Sequence, residues 1–377
     1  MNIAIVCYPT FGGSGVVATE LGVALAHKGH QVHFITYGQP VRLSVFHKNI
    51  YFHQVYMEEY PLFRYQPYEL ALSSKMVEVV REYRIDVIHA HYAIPHAYAA
   101  YMAKQILLQE GISVAIITTL HGTDITLVGN HEYYKTAVTF SINASDAVTS
   151  VSESLRKNTY DLFDIHKDIK VIPNFIDIEQ KKNAPKRCQR AMLANPDELI
   201  ITHISNFRKV KRTPDVVEIF YQLLPHKKAK LIMVGDGPDR EHTQALVHRL
   251  GLQNSVIFLG NSLEIDEVLC SSDLFLLPSE SESFGLAALE AMAQGVPVIS
   301  SNAGGIPEVN KQGYSGFLSP IGDIEAMVQN ALVILKDEAT LSRFKAQALQ
   351  QASLFDERKI IPMYEQVYEQ VVSRRKE

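Results

Sequence analysis

Leu274-Phe275-Leu276-Leu277-Pro278-Ser279-Glu280-Ser281-Glu282-Ser283-Phe284-Gly285-Leu286-Ala287-Ala288-Leu289-Glu290-Ala291-Met292-Ala293 is the stretch whose reading decides the fold. Its apolar opening reads as a strand buried on both faces, and its end has helical spacing. A strand that runs through a glycine-containing turn into a helix is the repeating unit of a parallel α/β sheet. The first helical turn carries no acidic side chain. Its unpaired backbone N–H groups and partial positive charge therefore suit an anion such as a diphosphate.

The same alternation extends in both directions. Upstream within this half, 199–205, 230–235 and 255–260 read as strands, and 297–301 follows the quoted helix. Helices are expected at 214–224, 239–250, 264–270, 285–294 and 323–335. The N-terminal half repeats the scheme, with strands at 3–8, 31–36, 51–56, 86–90, 114–120 and 147–151 and helices at 16–28, 77–83 and 95–109. Near-continuous apolar strands separated by helices predict two doubly wound parallel sheets, each covered on both faces. The expected boundary lies within 172–198, which carries Pro173, Pro185 and Pro196 and a basic run. Ligands should bind beyond the strand C-termini, so two facing sheets would form one interdomain cleft.

Composition narrows the function classes. A chain of 377 residues, 47% hydrophobic, can fill two ordinary cores. A net charge of −5, with Arg374-Arg375-Lys376 as the longest basic block, disfavours nucleic acid. The three cysteines, Cys7, Cys188 and Cys270, are widely spaced and fit a reducing cytosol better than a disulfide framework or a zinc site. No secretory leader is expected at 1–7, and no apolar run reaches the length a bilayer needs. A soluble, cytoplasmic protein is expected, with a homo-dimer plausible and no membrane partner.

The chemistry-bearing residues follow strands. Gly12-Gly13-Ser14-Gly15 ends the first strand and opens a helix. It serves either to turn the chain or to hold an anion, and its spacing is not that of a dinucleotide site. His89 and His91 alternate onto one strand face, with Tyr92 next; a metal would need a third ligand that the spacing does not supply, so packing or hydrogen bonding at a cleft rim is expected. His121, in Leu120-His121-Gly122-Thr123-Asp124, can reach into a cleft and donate one hydrogen bond. Arg208, Lys209, Lys211 and Arg212 form either a solvated basic loop or a diphosphate clamp. Gly235-Asp236-Gly237-Pro238 is a further strand-terminal turn, and Gly304-Gly305-Ile306-Pro307-Glu308 is expected to support the phosphate loop. Glu282 precedes the helix and Glu290 lies inside it, so the two need not face each other across a bond as glycosidase carboxylates do. Separate jobs, on sugar hydroxyls and on ribose, fit better. No D-x-D motif stands at a strand end, so no metal and no cofactor is expected.

Together these segments resemble family 4 of the retaining GT-B glycosyltransferases. The resemblance is carried by Cys7-Tyr8-Pro9 with 12–22, by 33–36, 89–96, 118–126, 174–177 and 203–212, and by the E-x7-E pair Glu282 and Glu290. It implies two Rossmann-like domains. Residues 1–172, joined by a terminal helix at 359–377, would bind the acceptor, and 173–358 the UDP-sugar. Within the family, the glycine loop, 89–96 and 203–212 resemble the branch that transfers N-acetylglucosamine from UDP-N-acetylglucosamine to the hydroxyl of L-malate, the first step of bacillithiol biosynthesis. By the same resemblance, His121, Glu282, Arg208 and Lys211 would be catalytic. Gly13, Arg208, Lys211, Glu282, Phe284, Gly285, Leu286 and Glu290 would bind the UDP-sugar. Gly13, Ser14, Tyr92 and Thr123 would lie toward the acceptor, with Arg42 and Arg64 as candidates for its carboxylates. Ser205-Asn206 departs from the Gly-Arg that many members carry, which shifts the diphosphate arginine to Arg208. The competing readings are a UDP-N-acetylglucosamine 2-epimerase, a family 4 transferase with another acceptor, and a non-catalytic sugar-nucleotide sensor.

Overall fold

The computed structural model describes residues 1–10, 12–43, 47–57, 65–183, 188–262 and 264–375. The chain divides into two compact units, one of Met1–Asn174 with Glu357–Glu377 and one of Phe175–Asp356.

The first unit is built on seven strands: β1 (Asn2–Val6), β2 (Gln31–Thr36), β3 (Ile50–Gln54), β4 (Val87–His91), β5 (Ala115–Leu120), β6 (Ala147–Ser150) and β7 (Ile169–Val171). They form one sheet in the order β3-β2-β1-β4-β5-β6-β7, with every pairing parallel. Every residue of β4 and β5 is buried, as expected of strands covered on both faces. One face packs Ala4, Val6, Ile88 and Ile116 against the helices Tyr68–Tyr83 and Tyr98–Gln109. The opposite face meets the helix Gly13–His27, where a Cβ on Gly22 would come within 2.3 Å of the Phe34 ring.

The last helix, Glu357–Arg374, belongs to this unit. Tyr364 and Tyr368 on it are fully buried, and Tyr368 Oη lies 2.8 Å from His89 Nδ1. Glu365 holds Lys28 at 2.7 Å and His30 at 3.0 Å. His89 and His91 thus share a face, but they are core residues and not rim residues: both are wholly excluded from solvent.

The second unit has six strands: β8 (Leu199–Ile204), β9 (Ala229–Val234), β10 (Val256–Gly260), β11 (Leu274–Leu277), β12 (Val298–Ser301) and β13 (Gly316–Ser319). Their order is β10-β9-β8-β11-β12-β13, again all parallel. Its core joins Ile201, Leu231, Leu274 and Ile299 to Val216, Phe220, Met327 and Phe344 from the covering helices.

Several elements differ from the expectation. The helix expected at 77–83 begins at Tyr68. Residues 93–97 form an irregular turn with Ile94 extended, and regular helix starts at Tyr98; a residue before proline is held out of the helical region. The helices Glu132–Ala144, Glu153–Leu162 and Glu338–Ala352 and the strands β7 and β13 were not expected. Glu153–Leu162 buries only Leu155 and Thr159, too little to print an apolar stripe on the sequence. The reading of three unpaired thiols is also corrected: Cys188 and Cys270 form a disulfide with a Cα–Cα separation of 5.6 Å. The 82-residue sequence separation hid it. The segment after the unit boundary docks here, with Arg190 2.8 Å from Asp273 and Lys181 paired to Asp266.

Candidate active site

Both sheets reverse their strand order at their first strand, β1 between β2 and β4, and β8 between β9 and β11. In such sheets the crevice beyond the strand C-termini at the reversal is the ligand position. The singled-out residues fall at these two places.

In the second unit, the loops after β8, β9, β11 and β12 pack backbone against backbone. A Cβ on Gly235 would lie 1.8 Å from Ser205 O, and one on Gly304 would lie 2.0 Å from Glu282 O. Any side chain at either position would push these loops apart, so glycine is required by close approach as well as by positive φ. The 304–305 turn braces the phosphate loop, with Gly305 N–H donating to Glu282 O at 2.9 Å. Glu280 N–H donates to Val210 O at 2.8 Å, which ties that loop to the basic one. His203, buried at the end of β8, lies 2.9 Å from Leu276 O and 2.8 Å from Ser205 Oγ. Burial lowers its pKa to about 4, so it braces the loop as a neutral ring.

On this frame Lys211 Nζ sits 2.6 Å from Glu282 Oε1, which also accepts from Ser279 Oγ at 3.0 Å. Both partners of the ion pair are mostly buried. Arg208 is exposed, and among the described residues no ion pair engages it. Gly285 adopts φ +96° and leads into the helix Leu286–Ala293, which has no side-chain cap and no acidic residue in its first turn. Its first N–H groups therefore remain available to an anion. Phe284 is buried against Phe355, and Glu290 is buried further along the helix. Ser279, which holds Glu282, was missed in the sequence reading; its only signal was its place three residues before that carboxylate.

In the first unit, Gly12 precedes the helix Gly13–His27 without a side-chain cap. A Cβ on Gly15 would lie 2.5 Å from Tyr8 O, so glycine is needed there for the close approach of the helix start to the end of the first strand. Ser14 Oγ is 2.7 Å from Tyr92 Oη, and Tyr92, at φ +95°, places its ring 5.3 Å from that of His121. Tyr8 packs on both Tyr92 and His96. Thr123 opens the turn Thr123–Leu127 just beyond His121. Asp124, quoted in the motif but given no role, organises this corner. Its carboxylate accepts the N–H groups of Ala93 at 2.9 Å, Gly122 at 3.0 Å and His121 at 3.3 Å. Burial raises its pKa to about 6 against the opposing pull of those donors.

His91 Nδ1 lies 2.9 Å from His121 Nε2, and His89 Nε2 lies 2.7 Å from Thr119 Oγ1. Burial lowers His89 and His121 to about 3 and His91 well below the usual imidazole value. These are neutral rings. Of the two arginines considered for acceptor carboxylates, Arg42 pairs with Glu20 at 2.7 Å, and Arg64 lies outside the described residues. Among the described residues no group of three or more His, Cys, Asp or Glu is placed to hold a metal ion, and no helix is long and apolar enough to cross a membrane.

Residues 11–180 match the model of Glycosyltransferase Family 4, and residues 187–351 that of Glycosyl transferases group 1. The chain is 46% identical to N-acetyl-alpha-D-glucosaminyl L-malate synthase of Bacillus anthracis, over 99% of this chain and 97% of that protein. It is 28% identical to an uncharacterized glycosyltransferase of Methanocaldococcus jannaschii, over 84% of each. Among solved structures, Anabaena HepE in complex with UDP and glucose superposes with a TM-score of 0.82 at 21% identity, covering 98% of this chain and 99% of that one. Sucrose-phosphate synthase from Thermosynechococcus elongatus gives 0.81 at 22% identity, covering 99% and 100%. Two doubly wound sheets, these matches and the near-full-length identity lead to one conclusion: the chain belongs to the family 4 glycosyltransferases and has their two-domain, Rossmann-like GT-B fold.

Proposed function

We propose that the protein transfers N-acetylglucosamine from UDP-N-acetylglucosamine to the hydroxyl of L-malate, giving N-acetyl-α-D-glucosaminyl L-malate and UDP, the first step of bacillithiol biosynthesis. The observation that carries this reading is the 46% identity, over 99% of the chain, to the malate synthase of Bacillus anthracis. The second unit takes the donor. Its uncapped helix start receives the diphosphate on the amides of Phe284, Gly285 and Leu286, and Glu290 holds the ribose hydroxyls. Glu282, fixed by Lys211 and Ser279, accepts from the sugar's 3- and 4-hydroxyl region. Arg208 and Lys211 stabilise the charge that grows on the leaving diphosphate, which is where preorganised cations act most strongly.

The first unit takes the acceptor. Gly13, Ser14, Tyr92 and Thr123 surround malate, and His121 touches the donor sugar near the reacting carbon. The malate hydroxyl attacks the face from which UDP departs, so the α configuration is retained. The carbon–oxygen bond to UDP breaks as the new one forms, and the departing phosphate oxygen takes the hydroxyl proton. Positioning and charge stabilisation do the work, without a protein nucleophile.

The test is to incubate the protein with UDP-N-acetylglucosamine in EDTA, with and without L-malate, and to follow UDP and products by mass spectrometry. Malate-dependent UDP release with a glycosyl-malate product is expected. UDP release without a malate product overturns the acceptor, and an isomerised free sugar overturns transfer.

A further inference from the structure

His121 can present either an N–H or a bare lone pair to a ligand, depending on which ring nitrogen holds its proton. Its Nε2 lies 2.9 Å from His91 Nδ1, with the two rings stacked at 24°. One nitrogen of this pair must donate and the other accept. The buried far side of His91 decides which. His91 is wholly excluded from solvent, and its Nε2 has no hydrogen-bond partner among the described residues. If His121 donated, His91 would carry its own proton on Nε2 and seal an N–H away with no acceptor. Orphaned buried donors are rarer in proteins than under-satisfied acceptors. If His91 donates from Nδ1, only a lone pair is left bare.

The neighbouring ring follows the same pattern. His96 Nδ1 donates to the His91 carbonyl at 2.6 Å, which leaves its Nε2 as a bare, sealed lone pair. His121 Nδ1 also lacks a partner among the described residues, but it is not one of the sealed atoms. That nitrogen is the one open to a ligand.

We propose that His91 is a positioning residue that fixes His121 as the neutral Nδ1–H tautomer, so that His121 acts on the donor sugar as a hydrogen-bond donor and not as an acid or base. This rests on the proposed contact between His121 and the donor sugar. The groups facing the His121 ring reinforce a neutral state. His91 and His96 are themselves held neutral, the His89 ring lies tilted behind His91 at 4.3 Å, and Tyr92 packs at 5.3 Å. The carboxylate beside His121, Asp124, is engaged by backbone N–H groups.

The tautomer is read directly from long-range proton–nitrogen correlations of histidine-labelled protein near pH 7, with His121 assigned by its loss in His121→Gln. A protonated Nδ1 and a bare Nε2 at His121 are expected; the reverse pattern overturns the proposal. This measurement needs neither substrate, so it stands or falls separately from the malate reading. In turnover, His91→Asn, whose amide N–H replaces Nδ1–H, should keep most of kcat. His91→Leu should lose about tenfold, the size of one hydrogen bond. Equal losses in both variants, with no rescue by the asparagine, would overturn it. Should either variant fail to fold, the spectrum of the unmodified protein still decides.

Discussion

In the first unit the strand ends carry buried, neutral imidazoles and tyrosines, whereas in the second they carry charged side chains on loops pressed backbone to backbone. His89 and His91 on β4 and His121 just after β5 hydrogen-bond through their ring nitrogens, among the described residues, only to Tyr368, Thr119 and one another. Glu282 and Lys211 instead form an ion pair mostly out of solvent, with exposed Arg208 nearby in sequence. The winding of both sheets is the same, so on the proposed function the difference reflects what each site would handle. A diphosphate calls for fixed positive charge and free N–H groups. Hydroxyl groups around a reacting carbon call for oriented dipoles in a dry setting.

The largest effect that would break this comparison is on the charged side. Arg208→Ala should lower kcat by about 10²- to 10³-fold, the scale for removing one charge-stabilising group, with malate KM little changed. A loss confined to malate KM would move Arg208 to the acceptor. Lys211→Met should also cost turnover, because it leaves the mostly buried Glu282 carboxylate without its cation. A smaller loss in the double variant Lys211→Met/Glu282→Gln than in Lys211→Met alone would show that the pair acts as a unit.

Acid should separate the units. His89, His96 and His121 have folded pKa values of about 3 to 4 against 6.5 unfolded, and His91 shifts the same way. A lowered pKa on a base contributes stability that is present above 6.5 and is lost as pH falls toward those values. Asp124 has the opposite sign: raised from 3.8 to about 6, its contribution is present at low pH and lost as pH rises through 6. Four histidines outweigh it, and among the described residues of the second unit only His203 is lowered in this way. Hydrogen exchange at pH 4.5 should therefore show β4 and β5 losing protection before β11 and β12. Earlier loss in β11 and β12 would contradict the assignment.

The smallest expected effect is structural. Tyr368→Phe removes the partner of His89 Nδ1 and should cost about 1–3 kcal/mol of stability, read by denaturant unfolding. No change would mean that this hydrogen bond adds nothing to the packing and ion pairs that hold the last helix.

Legibility in the sequence followed the same division. Strands buried on both faces announce themselves as apolar runs, so the sheets could be read almost strand by strand. The charged loop residues also stood out, because cations and glycines after a strand have few other uses. Elements that bury little, such as Glu153–Leu162 and the short β7, carry no apolar pattern to detect. Of the imidazole cluster, the sequence showed the His89–His91 alternation on one strand face and His121 at the next strand end, but not that they meet. Its meaning depends on β4–β5 register, which pairs His91 with Thr119, and on a tyrosine 279 residues from His89. The Cys188–Cys270 bond was hidden for the same reason, since nothing local links its two halves.

The most direct test of the division between the units is UDP titration of two matched variants, Glu290→Ala and His121→Ala, by calorimetry. Loss of the proposed ribose contact should weaken UDP binding about tenfold or more in Glu290→Ala, while His121→Ala should bind UDP as the unmodified protein does and lose only turnover. Unchanged UDP affinity in Glu290→Ala, or an equal loss in His121→Ala, would contradict the account.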